Sequence, residues 1–212
     1  MQDGQTILKK GRKFDQVLDA ACALFLTEGF HRTNMDHIAA RANVSKATVY
    51  SYFPDKKLLF LEAVRTEIAR RAVDAEAGIP VDAPVRMVLE FSARILIGFY
   101  MSDFAKKLYR LSIAEAESFP ELARMFHNSG SKMAQDRISG YFAEAANAGD
   151  MIIDDPDLAA AQFIELCKAD IFERSMLGLT PAISEADIVR VSKGAVEMFL
   201  ARYGPDSGRT HG

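Results

Sequence analysis

The chain has 212 residues, 49% of them hydrophobic, with 13 Gly, 7 Pro and a formal net charge of −3. This length allows one large domain or two small ones with ample core, and the composition excludes a disordered or fibrous chain. Two cysteines are too few for a disulfide framework, no apolar run approaches the roughly 18 residues of a membrane helix, and MQDGQTILKKGRK lacks the apolar centre of a signal peptide, so a reducing, cytoplasmic setting is expected.

Charge is unevenly spread. Residues 1–57 hold nine Lys/Arg against six Asp/Glu, net +3, and residues 58–212 hold seventeen against twenty-three, net −6. A basic N-terminal portion suits phosphates, and an acidic remainder would stay away from them. Lys9, Lys10, Arg12 and Lys13 crowd the start of the first long helix, which is predicted to run to Glu28 on a stripe of Phe14, Val17, Leu18, Ala21, Cys22 and Phe25. Gly29 suits the residue after a helix, and Phe30 is expected to pack under the bundle. Thr33 with Asp36 forms a capping pattern for a second helix. His31 and His37 have no ligand cluster around them and read as surface or capping residues rather than metal ligands.

Ile38 to Ala42 has the apolar spacing of a short helix with one buried face. Ala42-Asn43-Val44 is a tight break, since Asn tolerates the left-handed conformation. Ser45 is a good N-cap for a second short helix, Lys46 to Ser51. Two short helices across such a turn make a helix-turn-helix, whose second helix presents its N-terminal residues to base edges in a major groove. Phe53-Pro54-Asp55 ends that helix, and Asp55 can cap the next, predicted over 56–77.

Ile38 through Lys56 reads I-A-x-x-A-x-V-S-K-x-T-x-Y-x-Y-F-x-x-K, which resembles the TetR/AcrR family of bacterial repressors. One departure is Asn43, where the family usually has Gly. The resemblance implies a three-helix DNA-binding domain over residues 1–57, a linking helix over 56–77, and an effector-binding and dimerisation domain over 58–212. It also implies that Lys46, Ala47, Thr48 and Tyr50 face the groove while Thr33, Ser45, Tyr52 and Lys56 hold phosphates. Tyr109-Arg110-Leu111 through Leu122 is similar to a C-terminal region of one AcrR-like subset.

From Val85 on, every segment has a helical period and none has strand alternation. Helices are expected over 85–101, 104–117, 119–148, 156–177 and 185–203, with caps at Asp103, Asp155 and Ser184. The fold class is therefore all-α, with about nine helices. The helix over 119–148 carries Leu122, Met125, Phe126, Ser129, Met133 and Gly140 on one stripe beside Gly130. Small and flexible residues on a core-facing stripe leave an adaptable space. Phe91, Ile95, Phe99, Leu108 and Leu111 could close it, with Tyr109, Asn128 or Cys167 as a polar contact, giving a pocket for a mostly apolar small molecule. The competing reading is a filled core.

The last two helices are apolar over more than one stripe. Phe163, Cys167 and Ile171, with Ile188, Val191, Ala195 and Phe199, are expected at a homodimer interface, which in the resembled family is a four-helix arrangement. The residues show no catalytic constellation, cofactor motif or metal-ligand spacing. Glu115 and Glu117 project from different faces, and His127 stands alone. The expected function is a dimeric transcriptional regulator, a repressor released from a double-stranded DNA operator by a small-molecule effector. The alternatives are an effector-independent DNA-binding protein and, less favoured, an enzyme with an unrecognised site.

Overall fold

A computed structural model describes residues 11–74, 83–117, 119–128, 132–180 and 182–205, with backbone only at 71–74 and 122. Among these residues there are eleven helices and no strand: α1 Arg12–Glu28, α2 Met35–Arg41, α3 Lys46–Tyr52, α4 Lys56–Asp74, α5 Val85–Met101, α6 Asp103–Ala114, α7 Pro120–Phe126, α8 Lys132–Ala148, α9 Pro156–Lys168, α10 Ile171–Met176 and α11 Glu185–Tyr203. The excess over nine arises because two expected helices are each divided. The first division falls at His127-Asn128, where the chain leaves α-geometry in a stretch poor in helix formers. Residues 129–131, and with them the expected pocket residue Ser129 and its neighbour Gly130, lie outside the described residues, as does the predicted end of α4 beyond Asp74. The second division follows Lys168, where Asp170 takes φ 66°.

The described residues form two compact units. The first holds residues 11–73 and 111–125, and the second holds 83–110 with the described residues from Phe126 on. The expected boundary at 57/58 is therefore not where the packing divides: most of α4, the last turn of α6 and α7 as far as Met125 go with the helix-turn-helix.

The first unit is built on the stripe expected of α1. Phe14, Val17, Leu18, Ala21 and Phe25 are buried with Ile38, Val49, Phe53, Leu59, Phe60 and Val64. Each of these side chains larger than alanine gains about 1.5–3 kcal/mol on leaving water. Phe30 stands among Phe25, Phe60 and Phe119, with ring centroids 5.1–5.9 Å away. Gly29 at φ 84° ends α1, its N–H donating to the Phe25 carbonyl, as expected of a glycine past a helix end.

In the second unit α9 packs between α8 and α11, and α11 lies on α5. Its core is Leu89, Ala93, Ile97, Phe142, Phe163, Cys167, Val196, Phe199 and their neighbours. The Ile152 N–H donates to the Tyr203 carbonyl at 2.8 Å and pins the α8–α9 loop to the end of α11. Asp155 and Ser184 cap α9 and α11, the latter with the full reciprocal box to Asp187. Both cysteines are buried thiols, and burial pushes Cys167 up to about 12.

Two expected caps shift by one residue. α2 is capped by Asn34, whose side chain accepts from the His37 N–H, and not by Thr33. Thr33 is turned inward and spends its hydroxyl on the Gly29 carbonyl at 2.8 Å, which leaves the extended Asn34 to meet the helix. Likewise the Ser102 hydroxyl, and not Asp103, accepts from the first turn of α6 at the Ala105 N–H.

Candidate nucleic-acid interface

The turn between α2 and α3 is made by Asn43 at φ 53°, the left-handed conformation that its side chain tolerates better than most. The N–H groups of Asn43 and Val44 donate back to the carbonyls of Ala40 and Ala39, so the turn closes on α2. Ser45 then caps α3, its hydroxyl accepting from the Thr48 N–H at 3.1 Å and lying 2.8 Å from the Thr48 hydroxyl. Val49 is the buried residue of α3. Tyr52 and Phe53 fasten its end to α1, with the Phe14 ring 5.5 Å and 5.4 Å away. The helix is thus held from one side, and Ser45, Lys46, Ala47 and Tyr50 are exposed.

Of the four residues expected to face a groove, Lys46, Ala47 and Tyr50 lie on that open surface and Thr48 is half-buried beside Ser45. Lys46 is 2.7 Å from Asp36 of α2, and this hydrogen bond raises its ammonium above the ordinary lysine value. Asp36 is a partner that the sequence pattern did not reveal, because the pairing depends on how α2 and α3 cross.

The expected phosphate holders divide. Ser45 is exposed at the helix start and Tyr52 is half-buried against Phe14. Thr33 is fully buried with its hydroxyl engaged, so the side chain offers nothing to a phosphate in this arrangement. The Lys56 ammonium donates to the carbonyls of Phe30 and Thr33 at 2.9 and 3.0 Å and sits 4.5 Å from the centre of the Phe30 ring. It closes the α1–α2 loop from beneath. Lys57 pairs with Glu121 at 2.6 Å over the Phe119 ring, and His31 meets the buried Glu115 at 2.9 Å.

In the second unit, Phe91, Ile95 and Phe99 of α5 are half-buried, and Leu108 and Cys167 are buried. Phe126 meets Tyr109 edge-on at 5.8 Å. Met133 is exposed, while Leu111 and Met125 belong to the first unit. The residues expected at a dimer interface lie in the second unit. Phe163, Cys167, Ile171, Val191, Ala195 and Phe199 are buried in the chain's own core, and Ile188 packs against it. The opposite faces of α9 and α11 instead leave an open groove of about 640 Å³, lined by Leu158, Ala161, Leu166, Met198 and Tyr203 among others. Periodicity detected that both helices are apolar on more than one side, but which side turns inward depends on α5 and α8.

Among the described residues no group of His, Cys, Asp and Glu could hold a metal, and no helix is long and apolar enough to cross a membrane.

Residues 17–63 match the model for bacterial regulatory proteins of the tetR family, and residues 87–205 match the model for the C-terminal domain of AefR-like transcriptional repressors. The chain is similar to the structure of the flavonoid-responsive regulator FrrA, at 34% identity and a TM-score of 0.79, covering 92% of this chain and 99% of that one. A TetR-family regulator structure from Mesorhizobium loti MAFF303099 is 31% identical with a TM-score of 0.79, covering 91% and 97%. The HTH-type transcriptional regulator YhgD of Bacillus subtilis is 28% identical over 165 residues, which are 74% of this chain and 81% of that protein.

Proposed function

The chain belongs to the TetR family of transcriptional regulators, and from that premise we propose that it represses its target genes by binding a palindromic operator as a homodimer and leaves the operator when a small, mostly apolar effector binds. The observation that carries the reading is α3: one buried valine anchors a short helix that otherwise presents Lys46, Ala47 and Tyr50 to solvent. Such a helix fits a major groove, with Thr48 in its first turn next to the Ser45 cap. Residues 1–57 supply DNA contacts, and the remainder supplies the effector site and the dimer. Base contacts specify and phosphate contacts position, so Lys46, Ala47, Thr48 and Tyr50 read sequence while Ser45 and Tyr52 hold the backbone.

The dimer forms through the outer faces of α9 and α11, where Leu158 and Met198 are 52% and 63% exposed. A two-fold pair of helix-turn-helix units reads two half-sites and gains the specificity that one short helix lacks. The effector is aromatic, in keeping with the flavonoid response that the name of one relative records. It binds in the second unit among α5, α6 and α9, and α4 and α6, whose residues divide between the two units, carry the change to α3.

A ligand that favours the released arrangement weakens operator binding by about 5–150-fold, and DNA weakens ligand binding by the same factor. The test is to titrate the operator complex with compounds that raise the melting temperature of the free protein. Reciprocal weakening supports the reading. A protein whose operator affinity is indifferent to every stabilising compound is an effector-independent binder.

A further inference from the structure

The chain turns sharply after α9. The Ile171 N–H donates to the Ala169 carbonyl at 2.8 Å across a single residue, Asp170, which sits at φ 66°, ψ −36°. This is a γ-turn of the rare hand, a strained conformation for any residue but glycine. It is held from outside: the Asp170 carboxylate is bound by Arg190 of α11 and lies 3.5 Å from Arg174 of α10. The far end of α10 is held as well, where Arg110 donates to the carbonyls of Ser175 and Met176.

Beside this braced turn an ammonium is set among rings. Lys168 Nζ lies 4.9 Å from the centre of the Tyr100 ring and 5.5 Å from that of Phe172. Phe172 stands edge-on to Tyr100 at 6.2 Å and to Tyr109 at 5.3 Å, and Tyr109 stands edge-on to Phe126 at 5.8 Å. The Lys168 side chain is only 18% exposed, although a lysine ordinarily extends its charge into water. Its carboxylate partner, Glu165 at 2.5 Å, has a side chain 71% exposed and can swing away without desolvation cost. Tyr109, Phe126 and Phe172 are half-buried, so part of each ring's surface stays exposed and open to a further contact.

We infer that Lys168, with Tyr100, Tyr109, Phe126 and Phe172, forms the anion-selecting part of the effector site and takes a planar aromatic carboxylate. This rests on the effector reading above. The ligand carboxylate replaces Glu165 on Lys168, and its rings extend the edge-to-face array toward Tyr109 and Phe126. A cationic ligand is disfavoured, because the ring faces that would hold it already carry a tethered charge.

The experiment is direct binding to the full chain, by fluorescence, of 6-hydroxy-2-naphthoate, its neutral carboxamide and a naphthylmethyl-trimethylammonium. The carboxylate is expected to bind at least about ten-fold more tightly than the amide, the worth of one charge-assisted hydrogen bond in a partly dry site. Lys168→Met abolishes that preference, Lys168→Arg keeps it, and Glu165→Gln tightens carboxylate binding by removing the competitor. If Lys168→Met fails to fold, the Lys168→Arg and Glu165→Gln arms decide. Equal affinity for acid and amide, no binding of the naphthoate, or a preference untouched by both Lys168→Met and Glu165→Gln overturns the proposal. The same compound is then added to the operator complex. Release that does not depend on Lys168 retains the effector reading and sinks this site, whereas Lys168-dependent binding without release does the reverse.

Discussion

Lys56 and Thr48 stand eight residues apart in one motif, yet the structure gives them opposite surroundings. The Lys56 ammonium is committed to the carbonyls of the α1–α2 loop and to the Phe30 ring. Lys56→Met should therefore destabilise the protein by about 1–3 kcal/mol through lost charged hydrogen bonds, seen as a lower melting temperature, with the salt slope of DNA binding unchanged. A slope reduced by about one unit at unchanged stability would restore a phosphate role to this lysine. Thr48 lies half-exposed at the start of α3. Thr48→Ala should shift sequence preference by roughly 1–3 kcal/mol at one base pair, read from competition between operator variants. Uniform loss across all sequences would mean that Thr48 only positions the helix. The motif was legible because its spacing is local, from Ser45 to Val49 to Phe53. The inward turn of Thr33 was not legible, because the carbonyl that takes its hydroxyl is fixed by the way the Gly29 turn folds.

Helix starts were the most readable elements, since a cap and the backbone N–H that donates to it lie within three residues. Ser45, Asp55, Asp155 and Ser184 all receive the expected backbone N–H. The break after α9 has no glycine or proline to announce it. Asp170 at that break is held by Arg190, twenty residues on, and a local pattern cannot contain that partner. The capping box of α11 also makes a pH prediction. The Ser184 hydroxyl, followed by its backbone N–H, holds the Asp187 carboxyl below its ordinary value. A carboxyl lowered by folding contributes stability that is present above its unfolded value, roughly pH 4, and is lost as pH falls through the folded value. Ser184→Ala should therefore lower the melting temperature at pH 7 and shrink the further loss on acidification to pH 3. An equal acid-induced drop in both proteins would show that Asp187 is not held by the box.

At the scale of the whole molecule, the sequence revealed an all-α protein with a helix-turn-helix and two broadly apolar final helices. It could not reveal which of their sides the core would use. Phe199 is packed against Phe142, Phe163 and Tyr203, so altering it attacks the core, where Phe→Ala costs about 3–5 kcal/mol. The outer faces are the place to test assembly. Leu158→Glu with Met198→Glu should give a helical, normally melting monomer in sedimentation that has lost specific DNA binding. Intact dimers in that variant would move the interface elsewhere. The central claim is that two copies of α3, related by a two-fold axis, read one operator. Its most direct measurement is sequencing of the DNA that the purified full chain selects from a random library. The account predicts an inverted repeat with half-site centres about 34–36 Å apart, or a multiple of the helical repeat, and loss of the enriched bases in the Thr48→Ala protein. A selected site without two-fold symmetry, or no enrichment at all, would contradict it.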